Sequence, residues 1–338
     1  MISSSPASPV GLRILGSGAY LPRQYRESEE FDRRWNKPAG WTRRHVGIVR
    51  RPYAGADETS SMMGAAAARQ ALDAAGLEAG EVDVVVSACS VMEQAIPCSA
   101  ALIHRRLGLA DSGIPAFDVN ATCLSFLAAL DLLSTAIAAG RYRRALIVSS
   151  EIATAGLDWD DPDTAPLFGD GAAAVVVAAD PEGASWLSAA HMETWSEGTE
   201  HCRVRAGGTR VRIDDDLDAF RAAARFEMSG KPTYRLAAQK LPAFMDALLA
   251  RAGLRLEQLR RIVPHQASAK ALRHLEVALR LPPAALVRII ETHGNQMAAS
   301  IPLALHHAIG EGLIERGDHV ALVGSGAGLS LGGIVLRY

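Results

Sequence analysis

The chain has 338 residues, of which 49% are hydrophobic and 21% charged; its 35 Lys and Arg nearly balance 37 Asp and Glu, for a formal charge of −2. This hydrophobicity excludes a disordered chain, and the missing basic excess argues against nucleic acid as a main partner. No apolar run reaches membrane-spanning length, because Asp131 interrupts Leu124–Ala139 and Gly171–Ala179 has only nine residues.

In chain order, the start MISSSPASPVGLR shows no basic region followed by an apolar stretch, so no secretory leader and a cytoplasmic location are expected. A helix-like run ends at Ala75, and Gly76 leads to a β-branched strand ending at Val86. Strand-like Ala116–Thr122 runs into Cys123, and an Ala/Leu-rich helix follows from Leu124. Next come a strand over Ala145–Ser150, the turn Gly169–Gly171 and a strand over Ala172–Ala178. The stretch from about Ser185 to Phe226 is more polar. A second helix-like run, Leu241–Ala252, precedes Gly253 and a strand at Arg261–Val263, and the last strand covers His319–Ser325.

Two parts of the chain resemble each other. Ala75–Val86 matches Ala252–Val263, pairing Gly76 with Gly253 at an offset of 177, and Ala136–Gly140 matches Ala308–Gly312 at an offset of 172. Strands alternating with helices, twice over, predict an α/β fold built from a duplicated unit. The expected division is residues 1–184 for the first half, 185–228 for a connection or cap, and 229–338 for the second half.

The candidate chemistry lies where the halves correspond. Cys123 is placed at a strand-to-helix turn, where free N–H groups and the helix dipole favour a thiolate and are expected to lower its pKa. The same N–H groups could hold an oxyanion. Adding 172 to 123 gives Asn295, just before the second half's equivalent helix, so the duplication is expected to pair Cys123 with Asn295. His265 follows the strand Arg261–Val263, and strand ends are where α/β folds gather reactive groups. Taken singly, His265 reads as a loop histidine, Asn295 as a helix cap and Cys123 as core. Taken together, they read as a nucleophile with two partners. The cysteines at 89, 98, 123 and 202 form no C-x-x-C pair, so neither a disulfide framework nor a metal site is expected.

Several motifs stand in order: Gly11–Pro22, Trp41 through Ile48, Asn120-Ala-Thr-Cys123, Leu167-Phe-Gly-Asp-Gly-Ala-Ala173, Met228-Ser-Gly230, His265-Gln-Ala267, His293-Gly-Asn295, Ala298–Pro302 and Gly324–Gly328. On these the chain resembles the thiolase superfamily, and within it the β-ketoacyl-ACP synthase III family, over nearly its whole length. The resemblance implies a thiolase-like fold of duplicated βαβαβαββ halves in five α-β-α-β-α layers. It implies that Cys123 accepts an acyl group from a thioester. His265 and Asn295 then bind the carbonyl of a malonyl-type thioester and stabilise the enolate left by loss of carbon dioxide. That enolate attacks the acyl-cysteine, giving ping-pong kinetics. By position, the N–H groups of Cys123 and Ala327 form the oxyanion hole, although family members usually carry glycine at the second place.

The resemblance also marks a substrate path. Trp41 matches a tryptophan that stacks near the adenine of coenzyme A, but His45 stands where acetyl-CoA-using members have arginine. A second coenzyme A arginine falls at about Pro162, in the acidic segment Asp160–Thr164. Arg235 and Lys270 match basic residues at the mouth that receive an acyl carrier protein, with Arg273 nearby, and Gly230 lies in the same substrate-binding region. These departures imply donors that arrive on a carrier protein, or a nucleotide bound differently. They fit a specialised fatty-acid or polyketide-like pathway. The implied substrates are acyl-CoA or acyl-ACP, with no separate cofactor, no nucleic acid and no membrane. A homodimer is implied, with a loop such as Val91–Ile96 reaching the partner's acyl pocket. Glu93 is expected to be a surface carboxylate, His293 a structural partner of its turn, and His306-His307 a helix-surface pair. Two other readings stand beside condensation. One is transfer of the acyl group to an alcohol, amine or thioester with His265 as base. The other is a non-catalytic partner subunit. The neutral Asn295 favours condensation, and the intact Cys/His/Asn set disfavours a silent subunit.

Overall fold

The chain runs β1 (Val10–Tyr20), α1 (Ser60–Ala75), β2 (Val84–Ser87), α2 (Ser99–Arg106), β3 (Ala116–Asp118), α3 (Ser125–Ala138), β4 (Arg144–Glu151), β5 (Gly171–Ala179) and β6 (Trp186–Thr194). It continues with α4 (Gly230–Ala252), β7 (Arg261–Pro264), α5 (Ala269–Ala278), α6 (Ser300–Gly310), β8 (His319–Gly326) and β9 (Ser330–Arg337). Shorter helices and two two-stranded ribbons lie between these elements. Residues 9–214, 216–282 and 284–338 are described, from a computed structural model; the expectation about the first eight residues lies outside them.

Nine strands form one sheet in the order β7-β8-β9-β6-β1-β5-β4-β2-β3. Its two wings repeat one pattern. In the first, β1 pairs antiparallel with β5, β5 antiparallel with β4, and β4 parallel with β2. In the second, β6 pairs antiparallel with β9, β9 antiparallel with β8, and β8 parallel with β7. The wings meet where β1 touches β6, at Val10↔Leu187 and Gly11↔Trp186. The first wing ends in β3, parallel to β2, whereas its counterpart in the second shrinks to a single bridge, Ile262↔Leu286. Gly76 and Gly253, aligned by the repeat, end α1 and α4 at φ +67° and +66°, a conformation that favours glycine.

One boundary moves. Trp186–Thr194 was expected in the connecting segment but is β6, a full strand of the second wing. Its counterpart β1 shares no sequence likeness with it, so the repeat did not extend that far. The true insertion lies beyond it and holds the ribbon Cys202–Arg203 with Glu227–Met228 and the helix Leu217–Ala223.

Helices supply the other layers. α1 packs on β1, β4 and β5, and α2 on β2 and β3, outside the first wing. α4 packs on β6, β9 and α5 outside the second. Between the wings lie α3, which touches β1, β4, β5 and β9, and α6, which touches β1, β5, β7 and β8. This gives the expected five layers. The sequence of α3 suits its central place. Phe126, Leu127, Leu130 and Leu133 are all buried, and a fully buried side chain of this kind stabilises by roughly 1.5–3 kcal/mol. Among the described residues, no helix is long and apolar enough to cross a membrane.

Candidate active site

The chain turns sharply between β3 and α3. Thr122 takes φ +52°, a left-handed conformation that is rare for a β-branched residue. Two side chains hold it there: Asn120 Oδ1 accepts the Thr122 N–H at 2.9 Å, and Ser125 Oγ accepts the Ala121 N–H at 2.9 Å. Cys123 follows Thr122, two residues before α3 begins.

The same turn recurs before α6. Met297 takes φ +47°, Asn295 Oδ1 accepts the Met297 N–H at 2.9 Å, and Ser300 Oγ accepts the Gln296 N–H at 3.1 Å. Asn120 Nδ2 donates to the Ser90 carbonyl at 3.1 Å, and Asn295 Nδ2 to the Ala267 carbonyl at 3.2 Å. The turns therefore match at an offset of 175: Asn120 with Asn295, Thr122 with Met297, Cys123 with Ala298. This corrects the expected pairing of Cys123 with Asn295. α6 has 11 residues against 14 in α3, so an offset taken at the helix ends slips by three at the helix starts.

His265 stands just past β7. Its N–H donates to the Val323 carbonyl at 2.7 Å, the residue is 5% exposed, and its Nδ1 is buried without a partner. Burial pushes its pKa down to about 4, so the ring is neutral near pH 7. Gln266 locks the segment: its Nε2 donates to the Pro264 and Val287 carbonyls, and its Oε1 accepts the Ile289 and Ile290 N–H groups. The glycine-rich end of β8 brings His265 and the cysteine turn together. A β-carbon on Gly324 would lie 2.9 Å from His265 Cβ and 3.0 Å from Leu124 Cδ2, and one on Gly326 would lie 2.6 Å from Thr122 Oγ1. Ala327 follows Gly326 in the turn joining β8 to β9. The cysteine turn and His265 thus meet at one strand end, with Ala327 in the turn that follows it and Asn295 tied to the His265 segment through the Ala267 carbonyl.

The electrostatics of Cys123 reverse the expectation. Burial, followed by the charges of Glu151 and Cys202, pushes the thiol up to about 12. The helix terminus does not offset an enclosed pocket that contains a buried carboxyl. Glu151, the last residue of β4, is itself pushed up to about 8 by burial, against the N–H groups of Ser90 and Val91. Sequence reasoning missed Glu151 and Ser90. The signal was a carboxylate closing the apolar run Arg144–Glu151.

Neighbouring motifs are structural. The Gly169 N–H donates to the Asn295 carbonyl at 3.2 Å. Asp170 is buried, accepts the Ala54 N–H and both the N–H and hydroxyl of Thr154, and is raised to about 6 by burial. His293 is held through Nδ1 by Thr292 and the Ile289 carbonyl, as a turn partner should be. Glu93 is more than a surface carboxylate, because it accepts the Ser61 N–H and caps the first turn of α1. His306 is half-buried, with Nδ1 3.0 Å from Ser17 Oγ on β1.

The expected substrate-path residues are more dispersed. A cavity of about 90 Å³ lies against His265 between α4 and α5, lined mainly by apolar groups including Tyr234, Ala238, Phe244, Ala271 and Leu272. Arg235 lines a different recess of about 350 Å³, with Lys231, His201 and Glu197. Lys270 is exposed on α5. Gly230 opens α4, and a β-carbon there would meet only Met228 Cε at 3.8 Å, so no close approach requires glycine. The Trp41 ring stacks on His45 at 4.6 Å, and His45 Nε2 lies 2.9 Å from Asp163 Oδ1.

Known proteins agree with this architecture. Residues 117–195 match the 3-oxoacyl-[acyl-carrier-protein] synthase III family, and residues 249–338 match its C-terminal portion. The β-ketoacyl-[acyl-carrier-protein] synthase III of Neisseria meningitidis is 34% identical over 334 residues, covering 96% of this chain and 99% of that one. The solved synthase III of Aquifex aeolicus is 30% identical with a TM-score of 0.87, covering 97% of this chain and 100% of that one. A priming β-ketosynthase from the R1128 polyketide pathway is 30% identical with a TM-score of 0.88, covering 97% of this chain and 96% of that one. Sharing a third of its residues with such a relative along almost its entire length, the chain belongs to the 3-oxoacyl-[acyl-carrier-protein] synthase III family of acyl-transferring condensing enzymes.

Proposed function

We propose that this chain joins two acyl thioesters in successive half-reactions. In the first, Cys123 sulfur attacks a donor thioester and the donor's thiol leaves. In the second, a malonyl-type thioester loses carbon dioxide, its enolate carbon attacks the acyl-cysteine, and the Cys123 thiolate leaves. The carrying observation is the meeting of the cysteine turn with His265 at the glycine end of β8, with Asn295 bonded to Ala267 two residues past His265. His265 is neutral, and one of the two Asn295 Nδ2 hydrogens goes to the Ala267 carbonyl, which leaves one to donate. Two neutral donors suit an enolate oxygen in a dry site. The Cys123 and Ala327 N–H groups are assigned to the oxygen of the acyl thioester.

The donor is proposed to come on an acyl carrier protein. The exposed Lys231, Arg235, Lys270 and Arg273 on α4 and α5 support docking of an acidic carrier. His45 covers a face of Trp41 and is tied to Asp163, which supports a carrier-borne donor over a stacked nucleotide. The cavity beside His265 supports burial of part of the second thioester. Cytoplasmic work in a specialised fatty-acid or polyketide-like pathway fits this reading. We assign a homodimer to the face where Ile96 is 86% exposed near Val91 and Met92, beside edge strand β3 with exposed Phe117.

Intact-protein mass spectrometry tests the proposal. Wild type incubated with acyl carrier proteins and acyl-CoAs should gain an acyl mass that C123A does not gain. Malonyl-ACP should then discharge it as a β-ketoacyl product. Discharge only by an alcohol or amine would assign acyl transfer instead.

A further inference from the structure

Glu151 has no part in the steps above, yet it is fully buried beside the nucleophile. Its carboxyl accepts the N–H groups of Ser90 and, at 3.3 Å, Val91. Among the described residues it forms no ion pair with a Lys, Arg or His. Ser90, whose N–H binds the Glu151 carboxyl, also brings its hydroxyl near enough to both that carboxyl and the Cys123 thiol to favour their charged forms. Ser90 Oγ also accepts the Ala298 N–H at 3.2 Å, from the turn that mirrors the cysteine turn. That bond occupies a lone pair of the hydroxyl and leaves its proton free to pass along the line from sulfur to carboxyl. The other ionisable groups around this line are Cys89 at the end of β2, Asp118 on β3 and Cys202 on the insertion ribbon; none is cationic. His265 is a poor proton acceptor, since burial holds it neutral down to about pH 4.

We propose that Glu151 receives the Cys123 proton through the Ser90 hydroxyl while the enzyme is being acylated. This rests on the assignment of Cys123 as nucleophile. As the sulfur–carbonyl carbon bond forms, the thiol proton moves to Ser90 Oγ and the Ser90 proton moves to the Glu151 carboxylate. As the donor's carbon–sulfur bond breaks, its thiolate takes a proton back along the same path. Glu151 and Ser90 end the half-reaction unchanged. A carboxylate and a thiolate cannot both be charged cheaply when both are buried, so the pair keeps both protons near neutral pH and gives up the first, from Glu151, at about pH 8.

The test is single-turnover acylation of the full chain by acyl carrier protein, followed by mass spectrometry from pH 6 to 9. In wild type, acylation should rise as pH passes about 8, where Glu151 loses its proton. E151Q should acylate roughly 10²-fold slower at pH 7, the low end of positioned acid–base effects, and should lose that rise. S90A should show the same loss, and S90T should recover most of it. E151Q enzyme that has slowly become acylated should still condense with malonyl-ACP near the wild-type rate, which separates the effect from misfolding. Acylation of E151Q at or above the wild-type rate would overturn the proposal, because the carboxyl would then merely oppose the thiolate. Should E151Q not fold, S90A acylating like wild type would overturn it as well. If wild type is never acylated on Cys123, the assignment of the nucleophile fails and not this step alone.

Discussion

Asn120 and Asn295 hold two copies of one turn, yet only one faces the proposed enolate. Each accepts an N–H two residues on and donates to the carbonyl that follows a strand, at nearly equal distances. Loss of such a cap costs about 0.5–2 kcal/mol. N120A and N295A should therefore lower the melting temperature by similar amounts in thermal denaturation. Only N295A should also lose condensation, by about 10²–10³-fold in kcat, with acylation of Cys123 kept. Equal loss of condensation in both variants would reduce Asn295 to a cap. Cys123, His265 and Asn295 were legible because each sits in a short motif at a strand or helix end. The direction of the Cys123 shift was not, since it depends first on burial in the folded core and then on Glu151, 28 positions later. The counterpart of Asn295 was also misread, because three residues lost inside α6 leave no mark at its ends.

Elements decide how closely the two turns meet. β8 carries glycine at 324 and 326, and the nucleophile turn or His265 packs so close to each that a β-carbon would clash. G326A would press a methyl onto Thr122, at a cost of about 1–3 kcal/mol by overpacking. The acylation rate should fall along with the melting temperature, because Thr122 sets the position of Cys123. G230A makes the contrast. Its new methyl meets nothing closer than 3.8 Å, and alanine is the better helix former by about 1 kcal/mol. Its melting temperature should stay level or rise, while any loss of turnover with acyl-ACP would mark Gly230 as a substrate contact. Helices and the short buried strands were readable from apolar runs and left-handed glycines such as Gly76 and Gly253. β6 was not, because Trp186–Thr194 mixes polar residues into a strand that is buried at one end and half-exposed at the other.

The whole molecule titrates as well as folds. Glu151 and Asp170 hold their protons more tightly in the folded protein than in the unfolded chain. Their contribution to stability therefore declines as pH rises from about 4, through 6 for Asp170 and through 8 for Glu151. Carboxylates held low by N–H donors or arginines, such as Asp32, Glu58 and Asp83, act oppositely but finish titrating below that range. Buried His265 and His293, held down to about 4, add stability as pH rises to about 6.5 and offset the carboxyl losses there, so melting temperature should fall only above about pH 7, and E151Q should flatten that fall. Equal slopes in the two proteins would remove Glu151 as a cause. Assembly is a separate question. The double variant I96D/F117D should sediment as a monomer where wild type sediments as a dimer, because two charges would have to be buried in the shared apolar face. The five layers were foreseen from the duplication and the family likeness. The joining of both wings into one sheet depends on two residue pairs at the start of β1, too short a seam for any sequence pattern to announce.

The mirrored turns also carry a history. Two halves with the same strand order, the same left-handed glycines and the same asparagine clamp are what the duplication of one unit would leave. In a symmetric pair of identical units, a change at the position of Cys123 would appear twice. Two copies on one chain are free to differ. One was then free to take a thiol while the other kept a small methyl at Ala298, whose N–H now steadies the serine beside that thiol. Asymmetry is thus the inheritance that made division of labour possible, and a gene cut between the halves should yield two soluble pieces only if both are made together.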